Sequence, residues 1–201
     1  IVFRMRTDVM RHMLKENLGL ITSRQMDKSG IEPVFITNSM IDAHSITSAT
    51  SISYLFPLYL YPDKKELNLL NYMEQKREPN IDQTILLKLQ EVYDQLISPE
   101  QLLQYIYAVL SSPLYQQTYA DFLKFDFPRV PFTADSALFQ QMAALGKRLV
   151  DLHLLRSPEL DQPIARFEGK GDDLTIATPK YDPKTKRVWI NAMYYFEGIT
   201  P

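Results

Sequence analysis

Cysteine is absent from the 201 residues, which excludes a disulfide framework and any thiolate metal site. Histidine occurs three times, at His12, His44 and His153, too few and too scattered for a histidine-based metal centre. Glycine is scarce, with six residues, and neither G-x-G-x-x-G nor G-x-x-x-x-G-K-[ST] occurs, so no loop is built to cradle a nucleotide. G-x-S-x-G and H-E-x-x-H are missing as well. No apolar run is long enough to cross a bilayer; the best, Ile52 to Tyr61, is short and interrupted by Pro57. A positive excess is also lacking. The formal net charge is −2 and the isoelectric point about 6.0, which argues against a stand-alone nucleic-acid-binding domain. The opening IVFRMRTDVMRHMLK has no secretory-signal order. With no initiating Met and an abrupt stop at YYFEGITP, the expectation is an interior piece of a longer cytoplasmic protein.

What is present is ordinary globular composition, 45% hydrophobic and 23% charged, sufficient for one large domain or two small ones. Charge is unevenly placed. Between Ile1 and Gly30, Arg4, Arg6, Arg11, Lys15, Arg24 and Lys28 outnumber Asp8, Glu16 and Asp27, and between Lys180 and Arg187 only Asp182 opposes Lys180, Lys184, Lys186 and Arg187. Each cluster reads either as a solvated face or as an anion-facing one.

Thr7 to Lys15 predicts a short helix capped by Thr7, with Val9, Met10, Met13 and Leu14 on one face. Strand character follows in Leu18–Ser23, Pro33–Thr37 and Ile52–Tyr61. SMIDAHSITSATS, rich in small hydroxyl residues, predicts a loop. Residues 1–62 thus form a strand-rich start, and the charged stretch 63–80 a polar connector. Residues 81–156 are helical, beginning with Asp82–Leu96, whose apolar face is Ile85, Leu86, Leu89, Val92, Tyr93 and Leu96. Ser98-Pro99-Glu100-Gln101 is a capping box opening a second helix. Leu114–Lys124 forms a third, with Tyr115, Tyr119 and Phe122 as a core stripe. Pro128 and Pro131 fix an extended turn, anchored by the Arg129 side chain on backbone carbonyls. A long helix runs from Asp135 to about Leu155 with Leu138, Phe139, Met142, Leu145, Leu149, Leu152 and His153 inward. Residues 157–201 carry short strands, Leu174–Thr178 and Arg187–Ala192 around a KYDPKTK turn, which complete the sheet and bury Trp189. The fold class is mixed α/β (α+β), strands at both ends and helices in the middle.

No active site is recognisable. Asp172-Asp173, beside Gly169 and Gly171, reads as a solvated turn. His44, next to Asp42 and Ser45, has the residue types of a hydrolase triad but no geometry that adjacency alone can supply. His153 reads as a core histidine.

Three stretches, LGLITSRQ, VFITNSMIDAHS and FPLYLYP, together resemble the opening of the target-recognition region of single-chain restriction-modification enzymes. PEQLLQYIYAVLSSPLYQQTYADFLKFDFPRVPF is closer still. It resembles the C-terminal specificity domain of the type ISP family, in which helicase, nuclease, methyltransferase and specificity parts share one polypeptide. FQQMAALGKRLVDLHLL and YDPKTKRVWINAMYYFEGITP continue the likeness, which covers nearly the whole chain and is weakest between Asp63 and Asn80. The resemblance implies a prokaryotic defence protein that reads double-stranded DNA. Adenine methylation, cleavage and ATP hydrolysis, with S-adenosylmethionine, ATP and Mg²⁺, would fall to other parts of the polypeptide, since the N-P-P-Y-type motif and the P-loop are missing here. This chain is expected to be a non-catalytic, monomeric fragment without a cofactor, partnered by DNA and by the rest of its polypeptide.

Which residues touch DNA is not fixed by the family pattern. Arg pairs with guanine, and Gln or Asn with adenine, in the major groove. On that basis Arg24, Gln25, Asn38, Ser39, His44 and Ser45 are candidates for bases. Arg4, Arg6, Arg11, Lys28 and Thr47 are candidates for phosphates. Arg24 and Gln25 alternatively cap a strand and bind each other, and Asn38-Ser39 alternatively start a short helix. Two rival functions remain: a protein-interaction or inter-domain scaffold that does not touch DNA, marked by exposed apolar surface on the helices, and a small hydrolase using His44 or Asp172-Asp173.

Overall fold

The computed structural model describes residues 7–24, 34–42, 52–62 and 77–200. They fall in two compact units, Ile1–Arg156 and Ser157–Pro201. Strands lie toward both ends of the chain and helices between them, the mixed α/β arrangement expected.

The first unit opens with α1 (Thr7–Met10), which tightens into a 3₁₀ turn, Arg11–Leu14. Thr7 lies inside the helix instead of capping it as expected, and the residue before it lies outside the described residues. Strands β1 (Gly19–Ser23), β2 (Phe35–Thr37) and β3 (Ser53–Pro57) form an antiparallel sheet in the order β2-β1-β3. Gly19 faces both Thr37 and Pro57 in register. The run from Ile52 to Tyr61 is two strands, not one. The Leu58 amide still donates to the carbonyl of Leu18 at 2.7 Å, the next pair in the β1–β3 register, but its carbonyl turns away to accept from the Asn80 amide at 2.8 Å. The chain resumes as β4 (Tyr59–Leu60), paired with β5 (Glu78–Pro79).

Five helices complete this unit among the described residues. α2 (Gln83–Tyr93) starts where the Asp82 carboxylate accepts from the amides of Thr84 and Ile85. It stops three residues before Leu96, because Asp94 takes a left-handed conformation (φ 49°) that closes the last turn. α3 (Pro99–Leu110) carries the predicted capping box: Ser98 Oγ accepts from the Gln101 amide at 3.1 Å and Gln101 Oε1 from the Ser98 amide at 3.0 Å. The expected single helix over Leu114–Lys124 is broken into α4 (Pro113–Thr118) and α5 (Ala120–Leu123). The break is at Tyr119, whose backbone (φ −107°, ψ 15°) leaves the helical range. Of the aromatic stripe expected in the core only Tyr115 is buried; Tyr119 and Phe122 are partly exposed.

α6 (Ser136–His153) packs along α3 on a face that matches the expected one only in part: Phe139 is fully buried, and Met142 and Leu149 pack against the core. Leu138 and Leu145 are exposed, and the buried stripe is Phe139, Ala143, Gly146 and Val150. The cause is close backbone approach: a Cβ at Gly146 would lie 1.8 Å from the Gln104 carbonyl oxygen. His153 is likewise exposed rather than in the core, its Nδ1 hydrogen-bonded to the hydroxyl of the fully buried Tyr107. Burial pushes the Tyr107 hydroxyl up to about 12.

The proline-bearing segment after α5 is held by tyrosines. Tyr115, Tyr105 and Tyr93, from α4, α3 and α2, donate to the carbonyls of Arg129 (2.8 Å), Pro131 (2.8 Å) and Thr133 (2.6 Å). Alternate carbonyls of an extended chain point the same way, so one aromatic cluster fixes the whole stretch. Arg129 thus anchors the turn through its carbonyl. Its guanidinium lies 5.0 Å from the Phe122 ring centre, contrary to the side-chain anchoring expected.

The second unit is a four-stranded antiparallel sheet, β6 (Arg166–Gly169), β7 (Lys180–Asp182), β8 (Arg187–Trp189) and β9 (Tyr194–Glu197), in the order β6-β9-β8-β7. The C-terminal strands pair among themselves instead of completing the N-terminal sheet. Leu174–Thr178 is not a strand, and Lys180–Asp182 is: the turn of KYDPKTK begins only at Pro183, where the Asp182 carboxylate accepts from the Lys184 amide and the Thr185 hydroxyl. Register places Phe167, Phe196, Val188 and Tyr181 across one face, and Arg166, Glu197, Arg187 and Asp182 across the other. Trp189 is half-buried against Tyr195, not a core residue.

Candidate nucleic-acid interface

The sheet of the first unit separates the base-contact candidates. Arg24 follows the C-terminal end of β1 and Asn38-Ser39 the C-terminal end of β2; because the strands are antiparallel, these are opposite ends of the sheet. At about 3.3 Å per residue of strand they are on the order of 20 Å apart, or roughly six base pairs at about 3.4 Å each. One base pair cannot be read by both. The exposed Arg24 guanidinium pairs loosely with Asp126, Nε to Oδ1 at 3.7 Å, which leaves most of its donors facing solvent. Asn38 and Ser39 start no helix. They form a hydroxyl-stabilised bend in which Thr37 Oγ1 accepts from the Ser39 amide at 3.0 Å and Ser39 Oγ donates to Asn38 Oδ1 at 3.2 Å. Both side chains are exposed. Gln25, His44, Ser45, Arg4, Arg6, Lys28 and Thr47 lie outside the described residues.

Arg11 is half-buried and plays a structural role, because its Nη1 donates to the Tyr61 carbonyl at 3.1 Å. That bond belongs to a lock between the N-terminal segment and β4. The Tyr61 amide donates to Nδ1 of the buried His12 at 2.8 Å. Asn17 uses both ends of its amide: Nδ2 donates to the carbonyls of Tyr59 (2.8 Å) and His12 (3.1 Å), and Oδ1 accepts from the amides of Leu18 (2.9 Å) and Tyr59 (3.1 Å). A side chain thereby stands in for a neighbouring strand. Burial, with Arg11 adding to it, lowers the His12 pKa and keeps the imidazole neutral, with Nδ1 free of a proton to accept.

Two further cations sit on this lock. Lys15 Nζ is 4.9 Å from the Tyr61 ring centre, and the Arg77 guanidinium 3.9 Å from that of Tyr59. Arg77 Nη1 reaches the Glu16 carbonyl at 3.5 Å, and Nη2 lies 3.9 Å from Glu100, whose carboxylate takes the Tyr59 hydroxyl at 2.6 Å. Burial first, then Glu100, pushes the Tyr59 hydroxyl up to about 12. Tyr61, the largest cause, together with Tyr59 and Glu100, raises the Arg77 pKa. Sequence reasoning missed Arg77, which lies in a stretch read as connector, and left Lys15 in a charge cluster. The alternation of Tyr59 and Tyr61 about Leu60 was the available signal, since such a pair presents two rings on one side of a strand.

Elsewhere the polar groups are structural. Asp173 accepts from the Thr175 amide at 2.9 Å in an exposed turn, and its pKa is lowered by that residue's hydrogen bonds. No group of three or more His, Cys, Asp or Glu residues suited to a metal occurs among the described residues. Arg187 holds Glu197 through Nη2 (2.6 Å) and Nε (3.0 Å). A cavity of about 440 Å³ opens between β1, β3 and α3, walled by Leu20, Phe56, Leu103, Ile106, Phe127 and Val130 among others, and is predominantly apolar.

These features define a mixed α/β chain: a first unit in which charged side chains lie at the ends of small sheets packed with helices, and a second unit built on one antiparallel sheet. The chain belongs to the type ISP C-terminal specificity domain family, whose model matches residues 1–201. No curated protein sequence matches it. Solved structures that share its fold include the following three. The DrdV–DNA complex has a TM-score of 0.69 at 22% identity, over 96% of this chain and 19% of that one. The ATP-dependent type ISP restriction-modification enzyme LlaBIII bound to DNA has 0.66 at 22%, over 92% and 12%. A nuclease-deletion mutant of the type ISP enzyme LlaGI with a DNA substrate mimic has 0.60 at 23%, over 92% and 15%. The chain thus spans less than a fifth of the length of any of these three proteins. No described helix is long and apolar enough to cross a membrane.

Proposed function

We propose that this chain recognises a short sequence in duplex DNA on behalf of a larger cytoplasmic restriction-modification polypeptide. Family membership over residues 1–201 carries the reading, and the likeness in fold to enzymes solved with DNA supports it. Its role is non-catalytic: it supplies the address, while other parts of the polypeptide methylate and cleave, using S-adenosylmethionine, ATP and Mg²⁺. It acts as one copy and needs no cofactor of its own. Base contacts come from loops at the ends of the N-terminal strands, with Arg24 at one end and Asn38-Ser39 at the other, while the helices hold that sheet rigid. A net charge of −2 is compatible with this role when much of the phosphate affinity is supplied by the rest of the polypeptide.

One observation favours a second, compatible role in docking to other parts of the polypeptide. Leu87 and Val92 on α2, Leu96 after it, and Leu138 and Leu145 on α6 are all exposed, apolar side chains that a docking partner would cover.

The test is selection from random duplex DNA at low and moderate salt. Sequence reading predicts enrichment of one short motif, with the preference at one of its positions relaxed by Arg24→Ala. Retention that disappears with salt and enriches nothing would reduce the chain to phosphate attraction and contradict the proposal.

A further inference from the structure

The lock around Tyr59 and Tyr61 does more than hold the N-terminal segment. Lys15 and Arg77 come from segments far apart in sequence, yet each lies over one of two tyrosine rings placed two residues apart, Tyr59 in β4 and Tyr61 just after it. Two residues of strand span about 6.6 Å, comparable to the separation of neighbouring phosphates along one DNA strand. The rings are buried and their backbones are tied along one edge by His12, Arg11 and Asn17, so the platform under the cations is fixed before anything binds. Among the described residues, Lys15 has no carboxylate at ion-pair distance, and the nearest to Arg77 is Glu100, 3.9 Å away and already accepting from Tyr59.

Position in the fold adds to this. Lys15 precedes β1, Tyr59 and Tyr61 follow β3, and Asn38-Ser39 follow β2. The antiparallel register brings all three to the same end of the sheet, opposite Arg24.

We propose that Lys15 and Arg77 form a two-point seat for the phosphate backbone of duplex DNA, flanking the place where Asn38-Ser39 meet the bases. The seat rests on the DNA-reading role proposed above. It positions the duplex without reading it, which is the usual division between phosphate and base contacts. An acidic surface elsewhere in the polypeptide would satisfy the same two cations, and the experiment separates the two occupants.

The experiment measures the affinity of the full chain, and of Lys15→Gln and Arg77→Gln, for a selected duplex and a scrambled one between about 50 and 200 mM salt, the range over which phosphate contacts alter affinity steeply. Each variant is expected to weaken binding to both duplexes by the same factor, and to lower the slope of log affinity against log salt by about 0.9. Lys15→Arg should restore both. Thermal unfolding of each variant checks the fold, and Lys15, being exposed, can be changed without disturbing it. Wild-type binding with unchanged affinity and slope in Lys15→Gln would overturn the seat alone and leave the acidic-surface occupant. Weakening confined to the selected duplex would overturn it in favour of base reading. Failure of the wild-type chain to bind either duplex would overturn the DNA-reading role and the seat with it.

Discussion

At the scale of single residues, the N-terminal segment is held by polar side chains acting as backbone. Asn17 satisfies two amides and two carbonyls, and His12 accepts the Tyr61 amide. Removing either would leave buried backbone groups unpaired, at about 1–3 kcal/mol for each orphaned group. His12 also makes this lock sensitive to acid. Burial and Arg11 lower its pKa in the folded state, while the unfolded chain keeps the ordinary value of about 6.5. Below that value the unfolded chain binds the proton more readily than the folded one. Stability from His12 is therefore fully present above about pH 6.5 and is lost as pH falls through the folded pKa. Urea unfolding midpoints of the wild type should decline between about pH 7 and pH 5 more steeply than those of His12→Asn, whose amide oxygen can accept the same bond without titrating. Equal declines would show that His12 does not carry the effect.

At the scale of elements, the contact between α3 and α6 is governed by a glycine. An added Cβ at Gly146 meets a backbone oxygen, not the end of a flexible side chain, so Gly146→Ala must separate the helices. A loss of about 1–3 kcal/mol is expected, measurable as a lowered denaturation midpoint with little change in its slope; a neutral substitution would contradict the packing described. The same contact explains what the sequence did and did not reveal. Helix starts were legible where caps are chemical signals: Asp82, Ser98 with Gln101, and Asp135 all cap as such residues should. The buried face of α6 was legible only in part, at Phe139, Met142 and Leu149, because counting leucines weights side-chain size. Here Ala143 and Gly146 are buried since they permit close backbone approach. His153, assigned inward on the same count, is exposed and meets Tyr107 at the helix end. Strand partners were illegible for a related reason. Alternation marks a strand's faces but not its neighbour, and nothing in the pattern of residues 157–201 distinguishes a self-contained sheet from an extension of the first.

At the scale of the whole molecule, sequence motifs led to the family and thence to a role, whereas the placement of candidate contacts required the sheet. Arg24 and Asn38 look equivalent in sequence, each just past a strand, yet antiparallel pairing sends them to opposite ends. Lys15 and Arg77 look unrelated, yet converge on neighbouring tyrosines. On the proposed reading, specificity rather than gross affinity is the contribution of a chain with a net charge of −2. The most direct measurement is therefore the ratio of dissociation constants for a selected duplex and a scrambled one at physiological salt. Sequence reading predicts a ratio on the order of a thousand or more; equal affinities for the two duplexes would contradict it.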